Sequence, residues 1–155
     1  MIVIDIGCAK YGGDYSIERL IEEFSPDLLI GLDPHPSVPN DVYLVGATMV
    51  VTMNAAGWVE DGEVRYAEDG INSWVTDLVE KPKVPCVDVA RLCSGLDGAI
   101  LKIDAEGSEY DILPHLIDKG VDRELRLAWV EWHKPDRGRA QIERSIRCDL
   151  HEWRW

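Results

Sequence analysis

The first seven residues, MIVIDIG, form an apolar run that is broken by one acid and closed by a glycine. A strand with one face in water alternates apolar and polar side chains, whereas a strand covered on both faces is apolar throughout. The opening segment is of the second kind. It predicts an α/β protein whose central sheet is mostly parallel and flanked by helices, since that layering buries a strand from both sides.

The following segments continue that architecture. In DYSIERLIEEF, residues Ile17, Leu20, Ile21 and Phe24 share one helical face, with Asp14 as the N-cap. Ser25 and Pro26 end that helix, and DLLIGLD forms a second short strand closing at Asp33, ahead of the turn-rich PHPSVPN. Farther on, Asp61-Gly62 predicts a hairpin turn between Trp58 and Val64. VPCVDV and GAILKID add two strands around a short helix or turn at 91–95. Ser108 and Asp111 make an S-x-x-D capping pattern, Ile112, Leu113, Leu116 and Ile117 form the apolar stripe behind it, and Gly120 is the stop. Pro114 removes an interior hydrogen bond and predicts a kink or an early end to this helix. LRLAWVEWH is another buried strand, with Glu131 and His133 at its end, and KPDRGRA is a loop. The pattern beyond it is too weak to assign.

At 155 residues and 46% apolar content, the chain has the material for one domain, 1–155, around one sandwiched core. A net charge of −13 argues against a general nucleic-acid binder, which has to neutralise phosphates with Lys and Arg. Cys8, Cys86, Cys93 and Cys148 form neither a C-x-x-C pair nor a dense framework, which points away from structural zinc and disulfides and toward a reducing cytoplasm. No apolar run approaches the roughly 20 residues of a spanning helix, so no membrane partner is expected. MIVIDIG lacks a basic leader and a cleavage pattern, and reads as a strand.

Open parallel sheets bind ligands beyond the carboxyl ends of their strands, where the strand order reverses. Here those ends carry Asp5 with Gly7, Asp33, Asp104 with Glu106, and Glu131 with His133, so acids converge on one rim. The first loop, DIGCAKYGGD, supplies Gly7, Gly12 and Gly13 before a helix N-terminus, a setting in which backbone approaches an anionic group closely. It is not G-x-G-x-x-G, because position 9 is alanine, and it suits a cofactor whose anion there is an amino-acid carboxylate. Asp33, about 20 residues past the loop, stands where a ribose-binding acid is expected.

The segment LKIDAEGSEYDIL resembles the signature of FkbM-type methyltransferases, with Lys102, Asp104, Glu106, Gly107 and Glu109 at its polar and glycine positions. VIDIG, MNAAGWVEDGEV and VPCVDVARL resemble the family's cofactor loop, its hairpin and its approach to the signature. The resemblance implies an S-adenosylmethionine-dependent O-methyltransferase of the Rossmann-like methyltransferase fold, acting on a small-molecule or carbohydrate-like hydroxyl. It further implies that Asp5, Gly7 and Cys8 line the methionine part of the cofactor, that Asp33 holds the ribose hydroxyls, and that Asn54 and Ala55 lie near the adenine.

Methyl transfer from a sulfonium needs an acceptor oxygen that loses its proton and lines up behind the methyl group, so positioning does much of the work. His133 has the unperturbed pKa that suits a general base, with Asp104 and Glu106 as rivals. No metal is required, although Asp104, Glu131 and His133 could hold a divalent ion that lowers the acceptor's pKa. Glu109 reads as a first-turn acid that stabilises its helix. Trp153 and Trp155 could pack against a second copy, and Arg137, Arg139, Arg144 and Arg147 form either a solvated basic face or a grip on an anionic acceptor. Two other classes share such a sheet. One is an NAD-dependent oxidoreductase, disfavoured by the missing middle glycine and the lack of a Tyr/Lys pair; the other is a cofactor-binding module without turnover.

Overall fold

A computed structural model describes residues 1–9, 16–69, 72–134 and 138–154. Asp14, Gly12, Gly13, Arg137 and Trp155, to which the sequence assigns roles, lie outside the described residues. In chain order the elements are β1 (Ile2–Ile6), α1 (Ser16–Phe24), β2 (Leu28–Leu32), β3 (Asp41–Val45), β4 (Thr48–Met53), β5 (Ala56–Trp58), β6 (Gly62–Asp69), β7 (Asn72–Val75), β8 (Lys83–Asp88), α2 (Val89–Cys93), β9 (Ile100–Ile103), α3 (Glu109–Lys119), a 3-10 turn (Val121–Arg123), β10 (Leu127–Val130), α4 (Arg139–Ser145) and β11 (Asp149–Glu152).

The main sheet runs β11-β10-β9-β1-β2-β4-β3, and every neighbouring pair is parallel except β3 with β4. From the central β1 the chain winds outward through β2 and β4 on one side, then returns to start again with β9, β10 and β11 on the other. The order therefore reverses between β1 and β9. This is the α/β architecture with a mostly parallel sheet that the opening run predicts.

Burial on both faces explains that run. Val3, Leu29, Val50 and Ile100 point to the side covered by Ile17 and Leu20 of α1, together with Trp153. Ile4, Ile6, Leu101, Ile103, Ala128 and Val130 point to the other side, where α2, α3 and α4 supply Val89, Cys93, Ile112, Leu113, Leu116 and Ile142. Each large aliphatic side chain withdrawn in this way contributes about 1.5–3 kcal/mol.

A smaller sheet, β5-β8-β6-β7, lies in the chain between β4 and β9. Here the expected hairpin is not formed: β5 and β6 do not pair but flank β8, the first parallel to it and the second antiparallel. Two contacts account for this. A Cβ at Gly57 would lie 2.8 Å from Ile6 and 3.1 Å from Val89, so β5 is drawn against the main core. Asp61, instead of closing a two-residue turn, accepts the Asp88 N–H at 3.0 Å and an Arg91 N–H at 2.7 Å.

The side-chain cap expected on α3 is not formed. The Ser108 side chain makes no capping hydrogen bond, and its backbone is already helical at φ −74° and ψ −13°. Pro114 does not end the helix, which runs unbroken to the left-handed Gly120. Ile112, Leu113 and Leu116 are wholly buried on both sides of the proline, and their packing outweighs its cost of about 3 kcal/mol. After β10, the weakly patterned tail builds α4 and the parallel edge strand β11. No helix among the described residues is long and apolar enough to cross a membrane.

A side-chain cap does exist on α2. Asp88 Oδ1 accepts the N–H groups of Ala90 at 2.8 Å and Arg91 at 3.2 Å, and faces His115 Nε2 at 2.9 Å. Although burial works against it, the Arg91 N–H and the His115 ring hold the Asp88 carboxyl below its ordinary range. Asp88→Ala is expected to lower stability by about 1 kcal/mol at neutral pH. Because the native pKa is depressed, the contribution is complete above the unfolded value of about 3.9 and fades as pH falls through the native one. Denaturant midpoints of the two proteins should therefore converge in acid; a constant gap down to pH 2 would remove the ionised cap from the account.

Candidate active site

The site is built where the strand order reverses, on the carboxyl ends of β1 and β9. Gly7 donates its N–H to the Leu32 carbonyl at 2.8 Å, and Asp104 donates to the Ile6 carbonyl at 2.9 Å, so the ends of β2, β1 and β9 are tied together. Gly7 has φ +82°, and a Cβ there would lie 1.8 Å from the Asp104 carbonyl oxygen. Only glycine lets the turn after β1 rest on the end of β9.

Beneath this turn lies a wholly buried ion pair. Asp5 and Lys102 are register partners on β1 and β9, with Nζ 3.0 Å from Asp5 Oδ1. Lys102 also donates to the Gly7 carbonyl at 2.7 Å and stands 3.6 Å from Asp104 Oδ2. Ser16, at the start of α1, donates its hydroxyl to Asp5 Oδ2 at 2.5 Å. Burial opposes both charges. It prevails for Asp5, whose pKa rises, while for Lys102 the Asp5 and Asp104 carboxylates more than offset it and keep the ammonium protonated. Trp153 lies against this pair, its ring centroid 5.6 Å from Lys102 Nζ and 4.1 Å from the Arg19 guanidinium. At 1% exposure Trp153 is a core residue and is not available to a second copy, contrary to the sequence expectation.

Asp104, Glu106 and His133 come together on the rim. His133 Nε2 lies 3.6 Å from Glu106 Oε2, 3.8 Å from Asp104 Oδ1 and 3.8 Å from Glu131 Oε1. On the other side of the ring, Nδ1 faces Glu109 Oε1 at 3.4 Å. Burial disfavours the imidazolium, but Glu109, Glu106 and Asp104 outweigh it and raise His133 to about 9. The carboxylates around the ring thus favour its charged form. Burial pushes the Glu106 carboxyl up as well.

The remaining predicted residues fall into two other groups. Asp33, Asn54 and Ala55 bracket the end of β2. Asp33 accepts the N–H groups of Ala9 at 3.0 Å and His35 at 2.8 Å, and Asn54 Nδ2 donates to the carbonyls of His35 at 2.8 Å and Asp33 at 3.3 Å. Ala55 is buried. Asp33 itself is only 7% exposed, and burial raises its pKa against the two N–H bonds. Cys8 is wholly buried under β2, where a Cβ on Gly31 would lie 2.9 Å from its Sγ.

Glu109 does more than the helix-stabilising work expected of it. It is wholly buried; Oε1 accepts the His133 backbone N–H at 2.7 Å and Oε2 accepts that of Gly107 at 2.8 Å. One carboxylate thereby fixes both the loop after β9 and the segment after β10. Its position carries a signal, because residues 109, 112, 113 and 116 fall on one helical face and the other three are apolar. An acid on an apolar stripe has to meet donors.

Comparison with known proteins finds no protein family, curated protein or solved structure that matches this chain.

Proposed function

We propose that this chain is an S-adenosylmethionine-dependent O-methyltransferase with a Rossmann-like methyltransferase fold, acting on a small-molecule or carbohydrate-like hydroxyl. One observation carries the reading. Where the strand order reverses, the rim is lined by Asp104, Glu106 and Glu131 beside a glycine turn, in a chain of net charge −13. Carboxylates at that position favour a cationic sulfonium compound and oppose the pyrophosphate of a dinucleotide.

When bound, S-adenosylmethionine supplies a methyl group on a positively charged sulfur, and its loss leaves a neutral thioether. The chain's own residues have two tasks. Gly7 and Asp33 border the cofactor's place, the first by its bare backbone and the second by the outer lone pairs of a carboxylate already anchored to Ala9 and His35. Asp104, Glu106 and His133, all partly exposed on that rim, are the groups that draw the proton from the attacking hydroxyl.

Thermal-shift and calorimetric titrations with S-adenosylmethionine, its demethylated product and NAD test the assignment. The expected result is stabilisation by the first two and none by NAD, a saturating ligand at 100 times its Kd adding about 2.7 kcal/mol. Stabilisation by NAD alone would transfer the chain to the oxidoreductases; indifference to all three would overturn cofactor binding here.

A further inference from the structure

We propose that Asp104, Glu106 and His133 form a binding site for a divalent transition-metal ion. The role of that ion in catalysis rests on the methyltransferase reading; its binding does not.

The three side chains each present one donor atom, and these atoms lie within 4.8 Å of one another. They come from the end of β9, the loop after it and the segment after β10, so the fold itself brings them together. The spacing is informative. Nε2 of His133 is 3.6 Å from Glu106 and 3.8 Å from Asp104, beyond the 2.7–3.2 Å of an N–H···O hydrogen bond. An ion with bonds of about 2.0–2.2 Å sets tetrahedral ligand atoms roughly 3.3–3.6 Å apart, and the two distances from Nε2 stand at or just beyond that range.

A second observation comes from outside the donor set. Glu109, wholly buried, faces the opposite ring nitrogen at 3.4 Å and holds the His133 backbone. Metal-ligating histidines almost always have a carboxylate or carbonyl on the far nitrogen, which fixes the ring and makes the near nitrogen a better donor. Asp104 is oriented in the same sense, with Lys102 engaging Oδ2 while Oδ1 faces the group. Glu131, 3.8 Å from Nε2, is a candidate fourth donor. Compared with the sequence expectation of Asp104, Glu131 and His133, the geometry exchanges Glu131 for Glu106 within the core set. One imidazole with carboxylates suits Mn2+, Fe2+ or Zn2+ better than Ca2+, whose ligands are all oxygen. Such an ion would supply Lewis acidity where the acceptor hydroxyl gives up its proton.

The test is a titration of the metal-free full chain with Mn2+ in 0.15 M salt, followed by the paramagnetic signal of the free ion. One saturable site per chain is expected. Glu106→Gln should weaken it by about 10- to 100-fold, while Glu23→Gln, on the exposed face of α1, leaves it unchanged. Glu106 is partly exposed, and an unchanged thermal melt of the glutamine variant would exclude misfolding as the cause. Non-saturating uptake, or equal weakening by the two substitutions, would mean diffuse attraction to an acidic protein and would overturn the site. Uptake of Mn2+ without S-adenosylmethionine would leave the ion site standing and remove the methyltransferase; the opposite pair of results would do the reverse.

Discussion

Lys102→Met is expected to cost about 3–5 kcal/mol in a denaturant titration, a large part of a typical domain's stability. The reason is the fate of Asp5. It is wholly buried, and besides the Ser16 hydroxyl its charge is met by Lys102. Without the ammonium, an uncompensated carboxylate remains between β1 and β9, and the Gly7 carbonyl loses its donor. Adding Asp5→Asn to Lys102→Met should recover most of the loss, because removing both charges is far cheaper than removing one. If the single variant unfolds at the wild-type midpoint, the pair is not what holds the two strands.

Gly7→Ala should cost about 2–5 kcal/mol, from a left-handed backbone at a residue with a Cβ plus the overlap with Asp104. The clash is with backbone, 1.8 Å from a carbonyl oxygen, so no rotamer relieves it. The substitution should also displace the end of β9, and with it Asp104 and Glu106. Unfolding curves and Mn2+ affinity measured on one sample check both effects. Gly46→Ala is the comparison, since that glycine also has positive φ, +62°, but nothing within 4 Å of an added Cβ. Equal losses at the two positions would mean that backbone conformation alone, without the contact to Asp104, sets the cost.

Much of the fold was legible because buried parallel strands have no polar period to conceal. MIVIDIG, DLLIGLD, GAILKID and LRLAWVEWH all became sheet strands, and the last three place Asp33, Asp104 and Glu131 just past their carboxyl ends, while Asp5 of the first is buried within β1. The errors share a cause: tertiary contacts prevailed over local patterns. Asp61-Gly62 has the residues of a hairpin, but β8 lies between the two strands. Pro114 should break a helix, but the helix is pinned by its buried face. The rim trio was readable from strand ends alone. Its supports were not, since nothing local says that Lys102 opposes Asp5 or that Glu109 reaches His133. Both left a trace all the same, as charged residues within apolar settings.

The strand order has a kinetic corollary. β1 is made first, yet its second neighbour begins at residue 100, and the hydrogen bond from Lys102 to Gly7 spans 95 positions. Closing so distant a contact is slow compared with zipping neighbours. Each half of the sheet can assemble from nearby segments, but the seam joining them has to wait. Because the rim straddles that seam, a half-assembled chain has none of it: ligand affinity should appear in one step, together with the last cooperative phase of refolding.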